Sequence, residues 1–139
     1  MLWFKKYDIQ DWADRSKNTI HDSLGIEILE VGDDFISGRM PIDKRTFQPM
    51  GILHGGASVV LAESLGSIAS AMVVDPHKYY VVGQVVNANH VRPGIKGYAT
   101  GVAKMVHLGS RSHIWEILIT NDEQKLLCTV RLTMAVVGK

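Results

Sequence analysis

Between Ala57 and Val74 the sequence carries one ionisable side chain, Glu63, among Val59, Val60, Leu61, Ala62, Leu65, Ile68, Ala69, Met72 and Val73. A carboxylate in such a run needs a hydrogen-bond partner, a charge partner or a chemical task. Ser64, Ser67 or a strand amide could supply a bond, so spacing and burial leave a structural and a reactive Glu63 equally open. Just upstream, Gly51-Ile52-Leu53-His54-Gly55-Gly56-Ala57 sets two glycines at the start of the same run. Glycines there let a ligand approach the backbone, and the first helical turn offers N–H groups without intrahelical partners, suited to a developing oxyanion. His54 reads either as part of that site or as a structural imidazole at the helix start. Gln48 by itself carries almost no signal.

Gly55 and Glu63 are eight residues apart, which at about 1.5 Å per residue separates them by roughly 12 Å along one helix. They cannot both reach one carbonyl. If both act on the same group, one must come from a second subunit whose helix runs antiparallel beside the first, and a twofold dimer then has two equivalent sites.

The elements that must hold these residues are legible from the periodicity. The 139 residues suffice for one domain, 1–139, with a sizeable core. Ile9, Trp12, Ala13, Ile20 and Leu24 recur at helical spacing between Asp8 and Leu24, and Gly25 ends that segment. Gly25 to Val31 and Phe35 to Ile42 read as a hairpin about Gly32-Asp33-Asp34. A helix from Gly55 to Val74 follows, stopped by Asp75-Pro76. Four strands are then expected, over Tyr79 to His90, Gly97 to Val106, Ser112 to Thr120 and Leu126 to Val136. Their short connections predict an antiparallel meander, and a helix apolar on nearly every side must be covered on nearly every side. The fold class is therefore α+β, a curved antiparallel sheet wrapped around a long central helix.

Composition narrows the partners. Fifteen Lys and Arg against fourteen Asp and Glu give a net charge of +1, with no global attraction to nucleic acid or anionic membrane. The lone Cys128 excludes an internal disulfide and reads as a small core residue, which fits a reducing cytoplasm. The six histidines show no zinc-type spacing, so no metal and no cofactor is expected. Charges interrupt the N-terminus where a signal peptide needs its apolar stretch, and the uncharged run Ser64 to Val74 is too short for a bilayer span.

The blocks Gln48-Pro49-Met50-Gly51-Ile52-Leu53-His54-Gly55-Gly56-Ala57, Leu61-Ala62-Glu63-Ser64, Asn87-Ala88-Asn89-His90-Val91-Arg92 and His107-Leu108-Gly109-Ser110-Arg111 resemble, in order, those of the hotdog-fold acyl-CoA thioesterases. The resemblance covers the chain from Leu24 onward. It is nearest the phenylacetyl-CoA, 4-hydroxybenzoyl-CoA and 1,4-dihydroxy-2-naphthoyl-CoA branch. It implies Glu63 as nucleophile or general base, Gly55 as oxyanion donor, Gln48 and His54 near the thioester carbonyl, and Ser67 near the carboxylate. It also implies that Gly83, the stretch His90-Val91-Arg92-Pro93 and the stretch His107-Leu108-Gly109-Ser110-Arg111-Ser112 bind coenzyme A. Pro93 departs from the small polar residue expected there, which removes one hydrogen bond to the ligand. Sites at subunit interfaces, in a dimer or a homotetramer built as a dimer of dimers, are implied as well.

Without the resemblance, Lys104, His107 and Arg111 read as a solvated strand end; with it, they become an anchor for the phosphates of coenzyme A. Two competing functions share this fold. A hotdog dehydratase acting on carrier-protein thioesters would pair a His with a carboxylate in a different pattern. A non-catalytic acyl-CoA-binding dimer would have no use for a carboxylate facing the thioester. The acyl pocket is expected from Met50, Leu61, Ile68, Met72, Val82 and residues across the interface.

Overall fold

A computed structural model describes all 139 residues. The N-terminal segment is not one helix. It forms α1 (Ile9–Ala13), a 3-10 turn (Asp14–Ser16) and α2 (Ile20–Leu24). Asp8 and Asp11 close a capping box at the start of α1. Asn18 adopts φ 60°, and Thr19 Oγ1 accepts the His21 N–H at 3.2 Å while donating to the Ser16 carbonyl. Polar side chains at 16, 18 and 19 thus offer the backbone a cap where the periodicity alone suggested continuation. Gly25 ends α2 in the left-handed conformation, as expected.

Strands β1 (Glu27–Val31) and β2 (Phe35–Pro41) form the expected hairpin, and α3 spans Gly55–Val73. β3 (Tyr79–His90), β4 (Tyr98–Leu108), β5 (Ser112–Thr120) and β6 (Leu126–Gly138) complete one six-stranded antiparallel sheet. Its order, β1-β2-β4-β5-β6-β3, corrects the meander. Of the four strands after α3, only β4, β5 and β6 follow one another; β3 pairs with β6 along Tyr79↔Gly138 to His90↔Cys128 and forms the far edge. The cause lies in the segment after β3, which crosses beneath the start of α3 to reach β2. There Leu53 N–H donates to the Gly94 carbonyl and Ile42 N–H to the Gly97 carbonyl, both at 2.8 Å, and Gly94 is buried against Leu53.

The sheet bends around α3 where its residues are smallest. Gly38 and Gly101 face each other across β2 and β4, and Leu65 of α3 sits on both. Gly66 in turn receives Leu132. Leu61, Leu65, Ala69 and Met72 are fully buried together with Trp115, Ile117, Leu132 and Met134, each large side chain contributing about 1.5–3 kcal/mol. By length and composition α3 could cross a bilayer, being longer than the uncharged run from Ser64, yet most of it is enclosed by the sheet. The N-terminal strap closes the end of α3: Phe4 N–H donates to the Met72 carbonyl at 2.8 Å, and Trp3 stacks on Trp115.

Candidate active site

Helix α3 leaves one flank uncovered. Gly55, Val59, Val60, Glu63, Ser67 and Ala71 are half-buried, whereas their neighbours on the opposite side are enclosed. The edge strand β3 runs antiparallel along this flank. A side chain at Gly83 would collide with Glu63 Oε1, and one at Gly55 would meet His90 Nε2 at 2.9 Å. Glycine at both positions is therefore a matter of close approach.

The Glu63 carboxylate forms no ion pair and no hydrogen bond within the chain, so none of the partners that would have made it structural is engaged. Ser67 lies one turn further along the same flank, but its hydroxyl is directed to Met134 Sδ at 3.6 Å and not to Glu63. Ser64 is buried.

At the helix start, His54 is the N-cap, and its Nδ1 accepts the Gly56 N–H at 2.8 Å. The ring thereby serves the backbone, the structural alternative left open by the sequence. The Gly55 N–H, by contrast, has no acceptor in the chain. It opens on a cavity of about 420 Å³ lined by Ile52, Leu53, Gly55, Ser58, the stretch 90–94 and Leu127. A free N–H at the positive end of a 19-residue helix suits an anionic oxygen electrostatically. Gln48 stands in the preceding loop and accepts the Met50 N–H through its own Oε1. Ile52, Leu53, Ser58, Gly94 and Leu127 as cavity wall are not foreseen by the sequence, since neutral residues in a loop or strand give no chemical signal.

The residues assigned to coenzyme A separate into two groups. Gly83 shares a cross-strand row with Met134, His113 and Leu108, and so stands at the end of the sheet that carries the exposed turn 108–112. His90 shares its row with Cys128, Ile119 and Gly101. The two rows are seven residue steps apart along β3, about 23 Å at 3.3 Å per residue. Val91, Arg92 and Pro93 are exposed beyond the second row, where Arg92 donates to the Leu126 carbonyl at 3.0 Å. Within one chain, stretches 90–93 and 107–112 do not meet. In the turn, His107 folds over Gly109, while Lys104, Ser110 and Arg111 are exposed.

Of the expected acyl-pocket residues, Leu61, Ile68 and Met72 are buried. Met50 and Val82 are exposed. Cys128 is buried, and burial pushes its thiol pKa up, as for a core residue. A cavity of about 460 Å³ between the N-terminal helices and β1–β2 borders none of the site residues.

Residues 50–128 match the thioesterase superfamily. The chain belongs to that superfamily. The thioesterase is 43% identical to the 1,4-dihydroxy-2-naphthoyl-CoA hydrolase of Escherichia coli, over 98% of this chain and 99% of the relative. It is 41% identical to the proofreading thioesterase EntH of Cronobacter turicensis, over 99% of this chain and all of the relative. Its fold superposes on the crystal structure of a mutant of thioesterase PA1618 from Pseudomonas aeruginosa with TM-score 0.99, 48% identity and full coverage of both chains. The hotdog fold and thioester hydrolysis inferred from the sequence blocks agree with these likenesses.

Proposed function

We propose that this thioesterase hydrolyses acyl-CoA thioesters to free acid and coenzyme A, at two equivalent sites shared by a twofold dimer. Aromatic acyl groups such as benzoyl or 1,4-dihydroxy-2-naphthoyl, and medium-chain groups, are the substrates. The observation that carries the reading is one juxtaposition: an unpaired Glu63 carboxylate and an unpaired Gly55 N–H open on the same uncovered helix flank, each against the edge strand β3. The substrate class is supported by the relative named for 1,4-dihydroxy-2-naphthoyl-CoA.

The dimer follows from the edge. β3 is twelve residues long, has no neighbour on its outer side, and exposes Tyr79, Tyr80, Val82 and Val85. Such a strand is a template for pairing. Antiparallel pairing with Gly83 opposite His90 of the partner subunit puts the twofold axis between Val86 and Asn87. It draws Gly55 of the partner subunit toward Glu63. It also carries the partner's stretch 90–93 to the end of the sheet that holds turn 107–112, so one coenzyme A can span both groups.

In this arrangement the thioester carbonyl accepts the Gly55 N–H, a donor worth about 10²–10³ in rate. Glu63 then attacks the carbonyl carbon, expels the coenzyme A thiolate and leaves a mixed anhydride that water cleaves. Alternatively, it removes a proton from water, which attacks instead. The thiolate leaves readily, so neither route requires a strong general acid. The test is release of coenzyme A from benzoyl-CoA, 1,4-dihydroxy-2-naphthoyl-CoA and a medium-chain acyl-CoA by wild type and Glu63→Ala. Loss of several orders of magnitude in the variant supports the assignment; a folded dimer with no wild-type turnover would leave a binding protein. A single turnover in ¹⁸O-water separates the routes, because only the anhydride route labels Glu63.

A further inference from the structure

The uncovered flank does not stop at the reactive carboxylate. From Glu63 it continues through Ser67 to Ala71, and on the strand side Gly83, Val81 and Tyr79 alternate onto the same face of β3. This groove leads into a separate cavity of about 300 Å³ at the far end of α3. Ala71, Val74 and Val81 form its apolar floor, and Tyr7, Trp12 and Tyr79 its aromatic walls.

Three cations line the cavity, Lys5, Arg15 and Lys139, and no acidic side chain does. The Arg15 guanidinium lies 5.0 Å above the Trp12 ring, and Lys5 Nζ lies 5.2 Å above that of Tyr7. The nearby Asp75 is already engaged by Lys78 and the His77 N–H. Trp12 is only 9% exposed, and its indole N–H has no acceptor in the protein. Burial holds the Tyr7 phenol above its ordinary pKa, so it stays a neutral hydroxyl. Apolar floor and cationic rim together describe a receptor for an apolar body that ends in an anion.

Resting on the thioesterase reading, we infer that this cavity is a distal acyl subsite that selects acyl groups of about ten carbons bearing a terminal carboxylate. The length follows from the groove. Ala71 is eight residues beyond Glu63, about 12 Å of helix at 1.5 Å per residue, which an extended tail spans in roughly ten carbons at ~1.25 Å each. The methyl group of Ala71 leaves that path open, and a bulkier residue there would close it.

The test compares kcat/KM for butyryl-CoA, decanoyl-CoA and the CoA monothioester of decanedioic acid. Wild type is expected to prefer the diacid thioester over decanoyl-CoA by about tenfold or more, the range a selective pocket achieves. Lys5→Gln with Arg15→Gln should bring that ratio close to one, and Ala71→Phe should lower the ratio of decanoyl to butyryl turnover by about tenfold. Equal use of diacid and monoacid that the two Gln substitutions do not alter, or a chain-length ratio that Ala71→Phe leaves unmoved, overturns the subsite. Absence of hydrolysis for all three thioesters would contradict the thioesterase reading itself. In that case binding of decanedioate, followed by tryptophan fluorescence, still decides the subsite: saturable binding lost with Arg15→Gln supports it, and no binding overturns it.

Discussion

The Glu63 carboxylate rests on the bare backbone of Gly83, so close that a methyl group at position 83 would occupy the place of Oε1. Strand β3 thus fixes the position of the carboxylate without a hydrogen bond to it. Gly83→Ala should displace Glu63 along the groove while leaving the sheet intact, because β strands accept alanine. A displacement of about 1 Å from productive geometry costs on the order of 10²-fold in rate. The expected result is a kcat lowered by about that factor, with KM little changed and an unaltered melting temperature. A fully active Gly83→Ala enzyme would show that the carboxylate has freedom to move.

The seat of Leu65 offers a test of the fold. A methyl group at Gly101 would lie 2.8 Å from Leu65 Cδ1, and one at Gly38 would lie 2.7 Å from Leu65 Cδ2. Leu65 is fully buried, so it has little room to yield. Gly101→Ala is expected to cost about 1–3 kcal/mol, as overpacked cores do. Urea unfolding measures the loss, and Leu65→Val in the same chain should recover part of it, since a shorter side chain relieves the contact.

These two contacts also mark where the sequence was readable. The long helix and the four later strands follow from a change of period, and the carboxylate of Glu63 stands out by its isolation among apolar residues. The order of strands did not follow, because whether β3 lies beside β4 or β6 is decided by how it packs on α3 and not by its own pattern. The same holds for the acyl pocket. A helix apolar on every side gives no signal for which face the sheet will cover, so Leu61, Ile68 and Met72 were indistinguishable from residues of the open flank. Small and polar residues at 63, 67 and 71 were the available marker. The resemblance implies His54 near the carbonyl; the sequence alone does not show that its Nδ1 caps the helix by accepting the Gly56 N–H.

Acid sensitivity should come from two histidines. His113 is buried against Ser70, whose hydroxyl also accepts the Trp115 N–H at 2.7 Å. Burial, helped by the charge of His107, holds the His113 pKa below its ordinary value, and burial does the same for His21. A lowered pKa means that the unfolded chain binds more protons than the folded one in this window. Stability is therefore full at neutral pH and falls as the pH drops below the ordinary imidazole value of about 6.5. Urea unfolding at several pH values between 7.5 and 5 should show this decline, and His113→Asn should make it shallower. A pH-independent stability across that range would contradict the assignment.

The shared site can be tested by complementation. Gly55 is the first residue of α3, preceded by His54 in an extended conformation with φ −68° and ψ 129°. Proline is well tolerated at such a position and lacks an N–H, so Gly55→Pro deletes the donor while keeping the helix. The His90 ring beside it is exposed and can turn aside. Gly55→Pro and Glu63→Ala should each be nearly inactive as homodimers. If every site combines Glu63 of one subunit with Gly55 of the other, a mixed dimer holds one site with both groups intact. Random re-association of equal amounts makes half of the dimers mixed, and half of their sites competent, so about a quarter of wild-type activity should return. Recovery after co-refolding, measured as coenzyme A release, is the expected outcome. No recovery from a demonstrably mixed dimer would place the carboxylate and its oxyanion donor within one chain, against the 12 Å that the helix sets between them by its rise of about 1.5 Å per residue.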